Sequence, residues 1–216
     1  MTHEFDKQYW EHHWRQGGGS MSASPYLASE LAGLTSGTAL DAGCGAGAEA
    51  LWLAAQGWHV TAVDISAEAL AQAAVRAAES GTSERVVWVE ADLSVWQPDN
   101  RFDLVTSHYA HPAMPQLDFY ARLADWVAPG GTLLIVGHLA RSAGDAGHAP
   151  HHGHDPGLAG GQLPPPEASV TAADVAARLG TADWQVVTAD ERHRTLGGDR
   201  PGPADLYDVV VRAVRR

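Results

Sequence analysis

Residues 39–47 read ALDAGCGAG, and this stretch decides how the rest of the chain is read. A short apolar run carrying one carboxylate, Asp41, leads into three glycines at alternate positions, Gly43, Gly45 and Gly47. A buried strand that enters a tight turn and then opens a helix has this form. Glycine takes positive φ at little cost and lets a ligand approach the backbone. The stretch satisfies two nucleotide-binding patterns at once. As Gly43-x-Gly45-x-x-Ala48 it fits the dinucleotide fingerprint, in which a pyrophosphate rests on a helix N-terminus. As an acidic residue, one spacer and then Gly43-x-Gly45-x-Gly47, it fits a second kind of nucleotide turn.

Working outward from the turn, apolar runs alternate with helical patterns. TALDAG (38–43) predicts a strand and AGAEALWLAAQG (46–57) a helix closed by Gly57. HVTAVDI (59–65) predicts the next strand, after which Ser66 caps an Ala-rich helix to about Ser80 with Glu68 in its first turn. RVVWVEAD (85–92) and FDLVTSHY (102–109) read as strands. PQLDFYARLADWVA (115–128) reads as a helix stopped by Pro129-Gly130-Gly131, and GTLLIVGH (131–138) as a fifth strand. Thr171 caps a further helix, TAADVAARLG. WQVVTADERHR (184–194) and LYDVVVRAVR (206–215) then form a hairpin across a Gly/Pro-rich loop. Near-continuously apolar strands belong in a parallel sheet covered on both faces. The expected fold is therefore α/β: a doubly wound, Rossmann-like, seven-stranded and mostly parallel sheet with a C-terminal antiparallel hairpin. Its ligand crevice lies beyond the strands' carboxyl ends.

Two segments fall outside the alternation. Residues 1–37 hold a short helical stretch and a GGGS hinge and are expected to form an N-terminal lid. Residues 38–216 form the cofactor-binding domain, interrupted by a His-, Gly- and Pro-rich loop at 139–168.

Composition narrows the partners. The chain has 216 residues, 45% of them apolar, enough for one domain with a real core. Its formal charge of −12 repels phosphate backbones and anionic lipid, so neither nucleic acid nor membrane is an expected partner. Cys44 is the one cysteine, which excludes an intramolecular disulfide and suits a reducing compartment. With no membrane-spanning run and no signal-peptide core in MTHEFDKQYWEHHW, the expected location is cytoplasmic. The abundance of Ala and Arg, with Lys7 the one lysine, points to a GC-rich bacterial genome.

The surroundings of the glycines discriminate between the two patterns. Asp41, two residues before Gly43, would repel a pyrophosphate, whereas beside the ammonium and sulfonium of S-adenosylmethionine it is attractive. Asp64, ending the second strand, suits two ribose hydroxyls in either cofactor. Asp92, in EADL at the end of the third strand, is placed to accept from an adenine amine while Leu93 donates a backbone amide. These stretches (LDAGCGAG, VTAVDIS, VEADL, FDLVTSHYAHP and LADWVAPGGTLLIVG) resemble the class I S-adenosylmethionine-dependent methyltransferases in order and spacing over residues 38–138. The resemblance implies cofactor roles for Asp41, Gly43, Gly45, Gly47, Asp64 and Asp92. Cys44, Ile65, Leu93 and Ser107 stand beside them in the turn and at the strand ends and complete the expected cofactor wall. A nicotinamide-dependent reductase lacks a Tyr-x-x-x-Lys dyad here, since Lys7 stands alone. A non-catalytic cofactor binder remains a further alternative.

Methyl transfer is an in-line displacement on an activated carbon, so the protein mainly aligns the acceptor, excludes water and sometimes removes a proton. The fourth strand ends in SHYAHP, where the family brings the acceptor to the methyl group. The Asn- or Asp-Pro-Pro-aromatic tetrad common in enzymes that methylate nucleic acid or protein nitrogens does not occur there, which favours a small-molecule acceptor (O, N, S or chalcogen). His111, fixed by Pro112, and His108 are the candidate bases, unless His108 simply packs against adenine or the sheet edge. Tyr109 and His138 are expected to line the acceptor pocket. In FDKQYWEHHWR, Tyr9, Trp10 and Trp14 crowd one helical stretch. It is either a hydrophobic stripe docking an appended helix or a lid: Tyr9 and Trp14 over the cofactor, Trp10 at the acceptor. This segment loosely resembles tellurite-resistance and thiopurine methyltransferases. In HAPHHGHDP, the residues His148, His151, His152, His154 and Asp155 match no standard metal spacing, and no metal is assigned.

Overall fold

The alternation becomes, in the computed structural model, one sheet with helices on both faces; residues 6–17, 22–139, 169–196 and 204–216 are described. The strands are β1 (Thr38–Ala42), β2 (His59–Asp64), β3 (Val86–Glu90), β4 (Phe102–His108), β5 (Val127–Leu139), β6 (Ser169–Val170), β7 (Trp184–Leu196) and β8 (Ala204–Arg215). They lie in the order β3-β2-β1-β4-β5-β8-β7, with the two-residue β6 added beside the end of β5. Pairings from β3 through β5 are parallel, while β8 runs antiparallel to both β5 and β7. The expected seven strands and terminal hairpin are present.

The helices are α1 (Lys7–Arg15), α2 (Leu27–Glu30), α3 (Ala48–Ala55), α4 (Ala67–Ser80), α5 (Gln116–Asp125) and α6 (Ala172–Leu179). Their ends follow local chemistry. The Ser66 hydroxyl accepts from Ala69 N at the start of α4, and Gly81 closes it in the left-handed region. Thr171 and Asp174 form a capping box on α6. Successive strand residues point to opposite faces, which divides the core in two. Leu40, Val105, Leu133 and Ile135 meet Phe119 and Leu123 of α5 and Val175 of α6. Ala39, Ala62, Leu104, Leu134 and Val210 meet Leu27, Leu53 and Leu70 from α2, α3 and α4. Leu27, Leu53 and Leu123 are fully buried, each worth about 2 kcal/mol of transfer free energy.

The largest differences from the sequence reading lie at the end of α5 and beside β5. The helix expected over 115–128 stops at Asp125, and Val127 already pairs with Phe102 in the sheet. There Trp126 turns its ring edge onto Trp96, so sheet pairing and aromatic packing override the helical pattern. The β6 strand, too short to show alternation, pairs Ser169 with His138 immediately before the Thr171 cap. The described part of residues 1–37 also divides: Leu27 and Leu31 belong to the core, while α1 lies against α4. Among the described residues no helix is long and apolar enough to cross a membrane. Pairing of β1 with β2 on one side and β4 on the other puts the switch point, and hence the crevice, at the carboxyl end of β1.

Candidate functional site

The glycine turn is tied to the neighbouring strand, with Gly43 N and Cys44 N both donating to the Val63 carbonyl, at 2.8 and 3.0 Å. Gly43 has φ +79°, and a Cβ there would lie 2.3 Å from the Ala110 side chain in the loop after β4. Gly45 has φ +51°, and a Cβ there would lie 2.5 Å from the Trp14 ring of α1. Glycine is therefore required at both positions by conformation and by space. Gly47, also left-handed, is the N-cap of α3.

Around this turn carboxylates gather, and the charged groups acting on Asp41 are both negative. Asp41, at the end of β1, is 1% exposed, and its Oδ2 has no hydrogen-bond partner among the described residues. Burial, together with the negative charges of Glu49 and Asp64, pushes its carboxyl well above the usual range. Asp64 ends β2 and accepts from Gly45 N (2.8 Å) and Ser66 N (2.9 Å). Burial raises its pKa too, against those backbone donors. Glu49, in the first turn of α3, accepts from Ser24 N at 3.0 Å. Its position was not among the sequence expectations, although an acid two residues beyond the last glycine of the turn is a visible signal.

The remaining expected cofactor residues serve mixed roles. Asp92 lies beyond β3 with Oδ1 accepting from Ser94 N (2.8 Å), so it also caps its own turn. Leu93 is buried and its carbonyl accepts from Arg122 Nε at 3.1 Å. Ile65 is half-buried beside Asp64. Ser107 donates to the Ala42 carbonyl (2.9 Å), a tie between β4 and β1. Cys44 packs into the core, where burial and the nearby Asp64 and Asp41 push its thiol pKa well up, so it fills space and is not a nucleophile.

Helix α1 closes this end of the crevice. Asp6 caps it, accepting from Tyr9 N at 2.9 Å. Glu11 accepts from Ala67 N (2.8 Å), Gln72 Nε2 donates to the Trp14 carbonyl (3.1 Å), and Lys7 pairs with Glu90 at the end of β3. Trp14 is buried against Ala46 and Ala69, with Trp10 beside it. Tyr9, Trp10, His13 and Trp14 form a continuous edge-to-face series with centroids 5.1, 5.6 and 5.4 Å apart.

On the other side of the switch point the buried Asp208 carboxylate is paired, while His108 Nδ1 has no hydrogen-bond partner among the described residues. His108 is buried, its Nε2 lies 2.8 Å from the Thr106 hydroxyl, and burial lowers its pKa. Tyr109 is the one non-glycine residue with positive φ (54°) among the described residues, a conformation costing about 1–2 kcal/mol. Its hydroxyl donates to Asp208 Oδ1 (2.7 Å) and accepts from Arg194 Nη2 (3.1 Å). Asp208 Oδ2 accepts from Arg194 Nε and from the Tyr26 hydroxyl, both at 2.7 Å. Burial and the bond to Asp208 raise the Tyr26 phenol to about 12, and burial raises Tyr109 further. His138 lies opposite Asp208 in the β5–β8 register, with ring centroids 4.9 Å from Tyr109 and 5.1 Å from His111. Burial, aided by Arg194, pulls the His138 pKa down to about 4, so the ring is neutral at physiological pH. His111 is buried, with Nδ1 3.4 Å from Gln116 Oε1, while Gln116 Nε2 donates to the Ala110 carbonyl at 3.0 Å. With Gln116 Nε2 committed to Ala110, its Oε1 is the amide atom that faces His111 Nδ1.

The structure thus brings His108, Tyr109, His111 and His138 to one end of the sheet, and Asp41, Asp64, Trp14 and the glycines to the adjoining end. Sequence reasoning missed Tyr26, Arg194 and Asp208. The histidines at 148, 151, 152 and 154, with Asp155, lie outside the described residues.

Residues 39–131 match the protein family described as "Methyltransferase domain". An uncharacterized methyltransferase of Mycobacterium tuberculosis is 39% identical over 99 residues, which is 45% of this chain and 48% of that protein. The trans-aconitate 2-methyltransferase of Streptomyces avermitilis is 35% identical over 97 residues, covering 43% of this chain and 36% of that one. The chain thus spans about half the length, or less, of these relatives. The fold extends the likeness to almost the whole chain. The N-methyltransferase NodS of Bradyrhizobium japonicum, solved with S-adenosyl-L-homocysteine, superimposes with TM-score 0.64 at 18% identity, covering 97% of this chain and 99% of that chain. Residues 39–131 thus match a methyltransferase domain, set in a fold shared with solved methyltransferases.

The residues of this methyltransferase domain fit the family's cofactor. A buried carboxylate oxygen without a protein donor, two further carboxylates nearby and a turn that excludes side chains suit a cationic, close-approaching ligand. The same set opposes a pyrophosphate, because both charged groups acting on Asp41 are negative.

Proposed function

We propose that this chain transfers a methyl group from S-adenosylmethionine to a small-molecule acceptor at an O, N, S or chalcogen atom. The observation that carries the reading is the buried Asp41 carboxylate, one oxygen of which has no donor among the described residues, with buried Asp64 and half-buried Glu49 beside it at the glycine turn. When bound, the cofactor supplies an electrophilic methyl carbon on a positively charged sulfur. Asp41 and Glu49 hold its cationic end, and Asp64 accepts from its ribose hydroxyls. Asp92 and the Leu93 backbone face the adenine, while Trp14, with Tyr9 and Trp10 along the same helix, excludes water from above. His111 Nε2 is the general base where the acceptor must lose a proton, and neutral His138 and Tyr109 shape the wall beside it. His108 backs the methyl-transfer position from β4.

A small acceptor is supported by the formal charge of −12, which opposes nucleic acid, and by a relative named for trans-aconitate. The division into an N-terminal lid and a cofactor domain belongs to the same reading: α1 is the lid and residues from Thr38 onward the catalytic frame.

Titration calorimetry with S-adenosylhomocysteine, followed by a methyl-transfer assay against thiols, phenols, amines and carboxylic acids, tests the proposal. Micromolar binding with turnover of one class supports it. Binding without turnover across all four classes turns the assignment to a non-catalytic binder, and no binding removes the cofactor altogether.

A further inference from the structure

We infer that Asp208, on the C-terminal hairpin, is a positioning residue for the acceptor side: its carboxylate grips Tyr109 and through it sets the turn that places His111 against His138. The inference rests on the methyl-transfer reading above, since it assigns a role within the same crevice.

Strand β8 carries an anomaly. Asp208 is 1% exposed beside three consecutive valines, and a carboxylate so buried must be paired. It receives three donors, from Tyr26, Tyr109 and Arg194, each at 2.7 Å. These partners come from three places in the chain. Tyr26 precedes α2, Tyr109 follows β4, and Arg194 lies on β7. A carboxylate that only neutralised Arg194 would need neither phenol.

What Asp208 holds is also unusual. Tyr109 is left-handed, and a non-glycine residue stays there only where its surroundings over-determine it. Its backbone N–H is fixed on Val136 O at 2.9 Å, its hydroxyl on Asp208 and Arg194, and its ring on His138. Two residues on, His111 stacks on His138, which the sheet register places directly opposite Asp208. The strained residue therefore links the buried carboxylate to the candidate base, and releasing the hydroxyl frees the turn to relax. Tyr26 gives the same carboxylate a hold on the segment before α2.

The test compares the wild-type chain with Tyr109→Phe, Asp208→Asn and the double variant, all with S-adenosylhomocysteine bound. Calorimetry reports the cofactor side, NMR reports the His111–His138 ring contact, and initial rates are taken with any acceptor found active. We expect S-adenosylhomocysteine to bind within about twofold of wild type in all three. The ring contact is lost in each single variant, and kcat falls about tenfold or more with little change in KM. The double variant is no worse than the poorer single, because both act through one hydrogen bond. Persistence of the ring contact in both singles, or losses in kcat that multiply in the double, would overturn the inference. Failure of the wild type to bind S-adenosylhomocysteine would strike the methyl-transfer reading instead. Should Asp208→Asn not fold, Tyr109→Phe alone, which keeps the ring, decides the outcome by the same contact.

Discussion

The two sides of the switch point treat charge in opposite ways. On the cofactor side Asp41, Glu49 and Asp64 crowd together with no cation acting on Asp41, and its Oδ2 is left without a donor. On the acceptor side Asp208 has three donors and Arg194 balances its charge, while His138 is held neutral. One side leaves a carboxylate oxygen without a donor; the other surrounds its carboxylate with three. On the proposed reading, stability is given up where the cationic cofactor would bind, and rigidity is built where the acceptor would be aligned. The contrast makes each side breakable in its own way.

The largest expected effect is at Asp64. Its oxygens hold Gly45 N and Ser66 N and are the proposed acceptors for two ribose hydroxyls. Asp64→Ala loses charge-assisted hydrogen bonds and loosens the turn, which at about 1.5–3 kcal/mol per bond weakens S-adenosylhomocysteine binding by over about 100-fold. Calorimetry reads this directly; an affinity within threefold of wild type would contradict the placement of the ribose. The acceptor-side contact between His111 and His138 is expected to survive this change.

Asp41→Asn should move two observables in opposite directions. The substitution removes a buried charge whose ionised form is opposed by Glu49 and Asp64, so the free protein gains about 1 kcal/mol and its Tm rises. The same change weakens binding of a cationic ligand by about tenfold or more. Thermal melts with and without S-adenosylmethionine separate the two. A variant that loses stability and keeps affinity would mean that Asp41 is an ordinary structural carboxylate.

Acidification should also split the two sides. The folded pKa of Asp41 is raised, so its ionisation opposes folding above the ordinary carboxylate range and that opposition is relieved as pH falls. His138 is the reverse: folded at about 4 against an ordinary 6.5, it leaves the unfolded chain holding the extra proton, so stability falls as pH drops from 6.5 towards 4. Melting curves across this window should show the Asp41→Asn advantage shrinking as the pH is lowered. An advantage that stayed constant over the whole range would remove the charge argument.

The same contrast explains what could be read without a structure. The glycines, Asp41 and Asp64 announce themselves because turn chemistry and strand ends are local, and every residue of ALDAGCGAG is a neighbour of the next. The hairpin was legible from two strand-like runs joined by a Gly/Pro-rich loop. The Asp208 cluster was not, since Tyr26 and Asp208 lie 182 positions apart and Tyr109 and Asp208 lie 99 apart. One sign was nonetheless present: LYDVVVRAVR puts a carboxylate into a strand that had to be buried, and such a group demands partners. The end of α5 was misplaced because Trp126 and Val127 continue a helical pattern that the pairing of Val127 with Phe102 overrules.

The smallest effect tests how α1 is held over the cofactor side. Glu11 accepts from Ala67 N in the first turn of α4, so an anion sits where that helix end is positive. It is also one of the charges that raise the Asp64 pKa. Glu11→Gln keeps a hydrogen-bond acceptor but removes the charge, and should weaken docking of α1 by about 0.5 kcal/mol. Amide exchange over residues 7–15 would then quicken about twofold in the free protein. High salt should bring the wild type towards the variant, because the lost attraction is electrostatic and partly exposed. If exchange is equally slow in both at every salt concentration, Trp14 packed on the glycine turn is sufficient to hold the helix, and aromatic contact alone closes the cofactor side.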